Sequence, residues 1–261
     1  MKTAVFFDID GTLWDSQMQI PKSTIDAIHK LQENGNYAFI CSGRSRATIR
    51  ARELLEEIGF DGIVAGCGTY IEYNGEVIFE RSLSQKEIAD LLTELENCHM
   101  PAILEGKHYL YADEESFGDD PYIDYLKRIL DTEFLPLKEY AGNYEVNKLS
   151  ADFTKGDIPA VKKALSDQYE LVFHEKQVVE ILPKGFSKAS GIEKVCGYLG
   201  ISHENTYAFG DSANDVEMLK YAAHGIAMGN ATDDAKEAAD HITTSLWEDG
   251  IKTGLEYFSL I

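Results

Sequence analysis

Short apolar runs that stop at a polar or glycine residue recur at both ends of this chain and alternate there with helix-like stretches. Residues 3–7 (TAVFF), 37–41 (YAFIC), 62–66 (GIVAG), 206–210 (TYAFG) and 225–229 (GIAMG) are such runs. Each suits a strand buried on both faces. Between them Ile25, Ile28 and Leu31 recur at helical spacing, with Gly35 as a natural stop. A second helical stretch is expected to run to about Ile58, with Leu54, Leu55 and Ile58 apolar and Gly59 closing it. Ile192, Val195, Cys196 and Leu199 mark another helix face ended by Gly200. ANDVEMLKYA and DDAKEAAD read as two more helices, and HITT as a last short strand. Strands alternating with helices imply right-handed crossovers and a parallel sheet.

The middle of the chain has a different rhythm. Ser84-Gln-Lys-Glu87 reads as a capping box that opens a helix. Short alternating runs follow (AILEG, HYLYA, NKLSADF, ELVFHE, QVVEILP) with about two helices among them. Their hairpin-like spacing predicts a mostly antiparallel sheet. The expected organisation is α/β: a Rossmann-like parallel-sheet core built from residues 1–82 and 185–261, interrupted by an inserted α+β domain over 83–184. The sequence has no internal repeat and no low-complexity stretch.

Charge narrows the partners. The chain has 45 Asp and Glu against 24 Lys and Arg, a formal net charge of −21. That field opposes nucleic acid and anionic membrane surfaces, and no dense basic stripe offsets it. Any anionic substrate needs a local source of positive charge. Cys41, Cys67, Cys98 and Cys196 form no C-x-x-C pair, so zinc and dithiol motifs are missing and free, buried thiols are expected. The apolar run in MKTAVFFDIDG is too short for a signal peptide or a span. A cytoplasmic protein is expected.

Four polar segments follow the buried runs. Asp8-Ile9-Asp10-Gly11-Thr12 comes directly after the first strand. Carboxyl ends of parallel strands form the usual ligand crevice, and a D-x-D pair there can present one carboxylate to a substrate with the other alongside. Alone, the motif equally suits two solvated turn aspartates. Gly210-Asp211-Ser212-Ala213-Asn214-Asp215 also follows a strand and opens a helix. It suits a metal and its surroundings, or simply an N-cap. Ser42-Gly43-Arg44 offers a hydroxyl and backbone N–H groups to a phosphate oxygen, as an ordinary turn would. Lys188, in KGFSKASGI, stands near a helix start.

Together these segments resemble the haloacid dehalogenase (HAD) superfamily, in particular its Cof-type (subclass IIB) phosphatases. The motifs stand in family order, GNATDDAKEAADHIT is similar to the family's closing segment, and 83–184 sits where that subfamily carries a cap. The chain departs at Cys67-Gly68-Thr69, where many relatives have Asn-Gly-Ala, and at Trp14, where an aliphatic residue is common. The resemblance implies a phosphatase acting on a small phosphorylated metabolite, a sugar phosphate or similar phosphoester. By this resemblance Asp8 attacks phosphorus and Asp10 is the general acid and base. Mg²⁺ is held by Asp8, the backbone carbonyl of Asp10, and Asp211. Ser42, Gly43, Lys188 and Asn214 bind phosphate oxygens, with Asp215, Arg44 and Thr12 around them.

Three other readings stand beside this one. A sugar phosphomutase shares the D-x-D pair. A receiver domain carries its phosphorylated Asp after the third strand, where this chain has GIVAG and no acid. A non-catalytic phosphometabolite sensor would be favoured were Asp8 or Asp10 missing, and both are present. No G-x-x-x-x-G-K-[ST] loop supports a P-loop hydrolase.

Overall fold

Ala4–Phe7 (β1) is buried along its whole length, so both faces of its sheet must be covered. The structure is a computed structural model and describes residues 2–174 and 177–261. By contacts the chain divides into two compact units: Met1–Gly43, Arg50–Phe79 and Ser187–Ile261 in one, Arg44–Ile49 and Glu80–Phe186 in the other. The second unit thus begins three residues before the expected 83, ends two after 184, and also takes in Arg44–Ile49.

In the first unit Tyr37–Cys41 (β2), Gly62–Ala65 (β3), Tyr70–Tyr73 (β4) and Glu76–Glu80 (β5) lie to one side of β1. The strands β12 (Thr206–Gly210), β13 (His224–Ala227) and β14 (His241–Ile242) lie to the other. The order is β14-β13-β12-β1-β2-β3-β4-β5. From β14 to β3 all pairings are parallel, and β4 joins antiparallel. Phe7 is in register with Phe209, and their rings stack at 5.1 Å, which locks the two central strands side by side. The hairpin from β4 to β5 was not among the sequence expectations. Its turn is Asn74-Gly75, both with positive φ (50° and 78°), the geometry of a type I′ turn.

Helix α1 (Lys22–Glu33) buries Thr24, Ala27, Ile28 and Leu31, so the expected Ile28 and Leu31 lie inside while Ile25 is only half-buried at the edge of that face. The helical stretch expected to end at Ile58 does end there, built from a 3₁₀ turn, Arg46–Thr48, and a π-helical segment, Glu53–Ile58, rather than from α-helical turns. Gly59 closes it in the left-handed conformation (φ 67°). Similarly ANDVEMLKYA is a 3₁₀ turn, Ala213–Asp215, running into α6 (Val216–Tyr221). DDAKEAAD is α7 (Asp233–Ala238), HITT reduces to β14, and α8 (Gly250–Tyr257) ends the unit.

The second unit has the sheet order β10-β11-β9-β6-β7-β8, from Ala102–Glu105 (β6), Leu110–Ala112 (β7), Phe134–Pro136 (β8), Lys148–Asp152 (β9), Tyr169–Phe173 (β10) and Val178–Pro183 (β11). It is antiparallel except where β7 meets β8. The strand expected over 170–175 stops at Phe173, and Glu175 lies outside the described residues. Leu149, Ala151, Val179 and Ile181 point to one face, where α2 (Gln85–Asn97) and α4 (Ile158–Leu165) cover them. Ile103, Leu110 and Ala112 pack instead with Ile123, Leu126 and Leu130 of α3 (Pro121–Leu130). Ser84 and Glu87 form the expected reciprocal cap of α2. Among the described residues no helix is long and apolar enough to cross a membrane.

Candidate active site

Several of the candidate residues gather where β1 and β12 end. In register, Phe7 pairs with Phe209, so Asp8 and Gly210-Asp211 leave adjacent strands at the same edge. Gly11 turns the first loop with φ 87°. A Cβ there would lie 2.2 Å from Asp211 Oδ2, so only glycine lets the two loops close on each other. Thr12, fully buried, donates its hydroxyl to Asp211 Oδ1 at 3.2 Å. Asn230, from the closing segment, donates to the Gly11 carbonyl and accepts from Leu246 N–H, both at 2.9 Å.

Lys188 is the first residue of α5 (Lys188–Leu199). Ser187 caps that helix, its Oγ accepting from Ser190 N–H while Ser190 Oγ accepts from Ser187 N–H. The helix start is held against the turn after β3. Gly68 sits there with φ 81°, and a Cβ would be 2.7 Å from the Ser187 carbonyl oxygen. The departure at Cys67-Gly68-Thr69 therefore keeps the glycine that the close approach needs. Lys188 is only 1% exposed. Its Nζ donates to Asp8 Oδ1 at 2.7 Å, Asp215 Oδ1 at 2.5 Å and Asn214 Oδ1 at 3.4 Å. Burial works against its charge, but Asp215 and Asp8 outweigh burial and hold the ammonium well above its ordinary range.

Asp215 is fully buried, and its other oxygen, Oδ2, accepts from the N–H groups of Asp211 and Ser212, both at 3.0 Å. Both its oxygens are thus engaged in holding Lys188 and shaping the 211–215 turn. Asp8, Asp211 and Asp215 offer carboxylate oxygens that all lie within 4.8 Å of one another. Burial first, then Asp215, pushes Asp8 well up against the pull of Lys188, and the same two causes push Asp211 up to about 7. All-oxygen donors, crowded beyond what one ammonium neutralises, fit a hard divalent cation.

The remaining expected residues are placed as follows. Asp10 is exposed, and Trp14 Nε1 donates to its Oδ1 at 2.9 Å. Ser42 is buried just past the end of β2; its N–H donates to the Val64 carbonyl and its carbonyl accepts from Cys67 N–H. Gly43 closes the first unit's segment, whereas Arg44 belongs to the second unit. The sequence reading missed Trp14 and Asn230 as partners of the motif residues. A large aromatic inside the first loop, and a Gly229-Asn230 turn after a buried strand, were the available signals.

A family profile of haloacid dehalogenase-like hydrolases matches residues 5–255. Bacillus subtilis YkrA, named as a candidate phosphatase, is 32% identical over 259 residues, which cover 98% of each chain. The 5-amino-6-(5-phospho-D-ribitylamino)uracil phosphatase YitU of the same organism is 30% identical, covering 98% of this chain and 97% of its own. The solved structure of the HAD subclass IIB sugar phosphatase BT4131 is 30% identical and superposes over the full length of both chains with a TM-score of 0.82. Fold, motif geometry and these likenesses agree: the chain belongs to the haloacid dehalogenase superfamily, as a Cof-type, subclass IIB phosphatase.

Proposed function

We propose that the protein hydrolyses a small phosphate monoester with a polyhydroxylated leaving group, through an aspartyl-phosphate on Asp8 and with Mg²⁺ as its cation. The observation that carries this reading is the buried Lys188 bridging Asp8 and Asp215, with Asp211 beside them. Lys188 fixes the Asp8 carboxylate and brings positive charge to where a phosphoryl group arrives. Asp215, with both oxygens engaged, orients Lys188 rather than meeting the cation. Asp8, the backbone carbonyl of Asp10, and Asp211 are the residues proposed to hold it. When bound, Mg²⁺ supplies neutralising charge that lets an anionic substrate approach three carboxylates.

Asp10 gives a proton to the leaving alcohol and then takes one from the attacking water. Ser42, Gly43 and Asn214 are proposed to bind phosphate oxygens, with Thr12 and Arg44 in support. Substrate class follows from the chemistry that two relatives share in their names: one acts on a sugar phosphate, the other on a phosphorylated ribityl chain. The inserted unit of this chain is the proposed cap domain. A panel of phosphorylated sugars and polyols, scored for phosphate release with Mg²⁺ and after chelation, tests the reading. Asp8→Asn is expected to lose turnover by several orders of magnitude and stay folded. Near-normal phosphate release from that variant would remove the nucleophile, and an isomerised sugar phosphate in place of free phosphate would point to a mutase.

A further inference from the structure

Trp14 is part of the first motif's loop, yet the reaction as described gives it no task. Trp14 is 3% exposed, and its backbone N–H and carbonyl are both bonded within the loop. Trp14 N–H donates to the Ile9 carbonyl at 3.2 Å, its carbonyl accepts from Gly11 N–H at 2.9 Å, and residues 10 and 14 form an isolated bridge. From this anchored position Nε1 reaches Asp10 Oδ1 at 2.9 Å. Asp10 itself is exposed, so nothing about its burial would hold its carboxyl in one rotamer. A buried indole needs some acceptor. Here the acceptor is the side chain proposed to move the proton, and the donor is anchored by its own backbone bonds.

We infer that Trp14 is a positioning residue for Asp10, holding its Oδ1 so that Oδ2 carries the proton toward the leaving oxygen. This rests on the reading of Asp10 as proton donor. An indole N–H can only donate. Oδ1 therefore keeps a lone pair toward the ring, and the transferable proton sits on Oδ2. In the first step an Asp8 oxygen forms its bond to phosphorus while the phosphorus–ester oxygen bond breaks. The bonding pair leaves with the ester oxygen, and the Asp10 Oδ2 proton joins it to give the alcohol. A carboxyl turned about its Cβ–Cγ bond would present the proton in the wrong direction, and small misplacements are costly in proton transfer.

The experiment compares kcat/KM, which reports the phosphorylation step, for an alkyl phosphate monoester and for 4-nitrophenyl phosphate. The alkoxide needs the proton to leave, and the nitrophenolate does not. Asp10→Asn is expected to lower the alkyl-to-aryl ratio by about 10²–10⁴. Trp14→Phe is expected to lower it by about tenfold, and to lower it no further when added to Asp10→Asn. Exchanging the indole of Trp14 for benzothiophene, which swaps N–H for sulfur at nearly the same shape, should reproduce the Trp14→Phe ratio even if phenylalanine loosens the loop. Equal losses on both substrates in the two Trp14 replacements would overturn the inference and leave Trp14 a packing residue. So would a further fall of the ratio in the double variant. An intact ratio in Asp10→Asn would instead remove Asp10 as proton donor, and the role of Trp14 with it.

Discussion

Lys188 shows how single residues settle the electrostatics of the site. An ammonium and two carboxylates are buried together, and each would be costly alone. Paired at 2.5 and 2.7 Å they tolerate burial, and Lys188 stays charged. Removing one partner of such a buried set leaves the others uncompensated, which costs about 3–5 kcal/mol. Gly11 is the steric counterpart. Gly11→Ala must place a Cβ on Asp211 Oδ2 in a backbone conformation that costs an L-residue about 1–2 kcal/mol. The expected outcome is a fall in kcat of about 10²-fold with the fold retained, measured by phosphate release alongside circular dichroism. Motif residues of this kind were legible in the sequence because D-x-D-G-T and G-D-x-x-N-D follow buried runs. Trp14 was visible only as a departure, since nothing in the linear order says that its N–H meets Asp10.

Helix starts and strand ends do the positioning at the next scale. The 211–215 turn uses Asp215 as both cap and lysine anchor, and α5 begins with Lys188 behind its Ser187 cap. Two caps allow a contrast. Ser84→Ala in α2 and Ser187→Ala in α5 should each cost about 1 kcal/mol in denaturant melts. Only the second should also reduce turnover, because Ser187 sets where Lys188 leaves the helix; Ser84→Ala should stay within about twofold of wild type. Comparable activity losses from both would argue against this division. The α1 and α5 faces and the Ser84 box were readable from spacing and cap chemistry. The π-helical Glu53–Ile58 was not, because Leu54, Leu55 and Ile58 satisfy an α-helical pattern equally well, and periodicity does not report which carbonyl each N–H reaches.

Over the whole molecule, an acidic chain has to assemble an anion-handling site from its own carboxylates. Without a cation, Asp211 takes up its proton near pH 7 when folded, against 3.8 as a free carboxyl. A raised folded value means that its contribution to stability is present in full below the unfolded pKa and is lost as pH rises through the folded one. In chelator, Asp211→Asn should therefore raise the Tm relative to wild type at pH 8 and lose that advantage by about pH 4. If Asp211 holds the cation as proposed, binding must displace the same proton, so calorimetric Mg²⁺ affinity of the wild type should fall as pH drops below about 7. An affinity flat between pH 6 and 8 would contradict this linkage. Strand patterning by itself predicted an α/β core, and the motifs in their order carried the resemblance to a known phosphatase family, because strand burial and residue chemistry are local properties. The tertiary structure decided which of the acids share one ammonium, which glycines allow the loops to touch, and that Asp10 leans on Trp14. Those depend on distances between segments up to about two hundred residues apart in sequence, and through-space electrostatics falls with distance in space rather than along the chain.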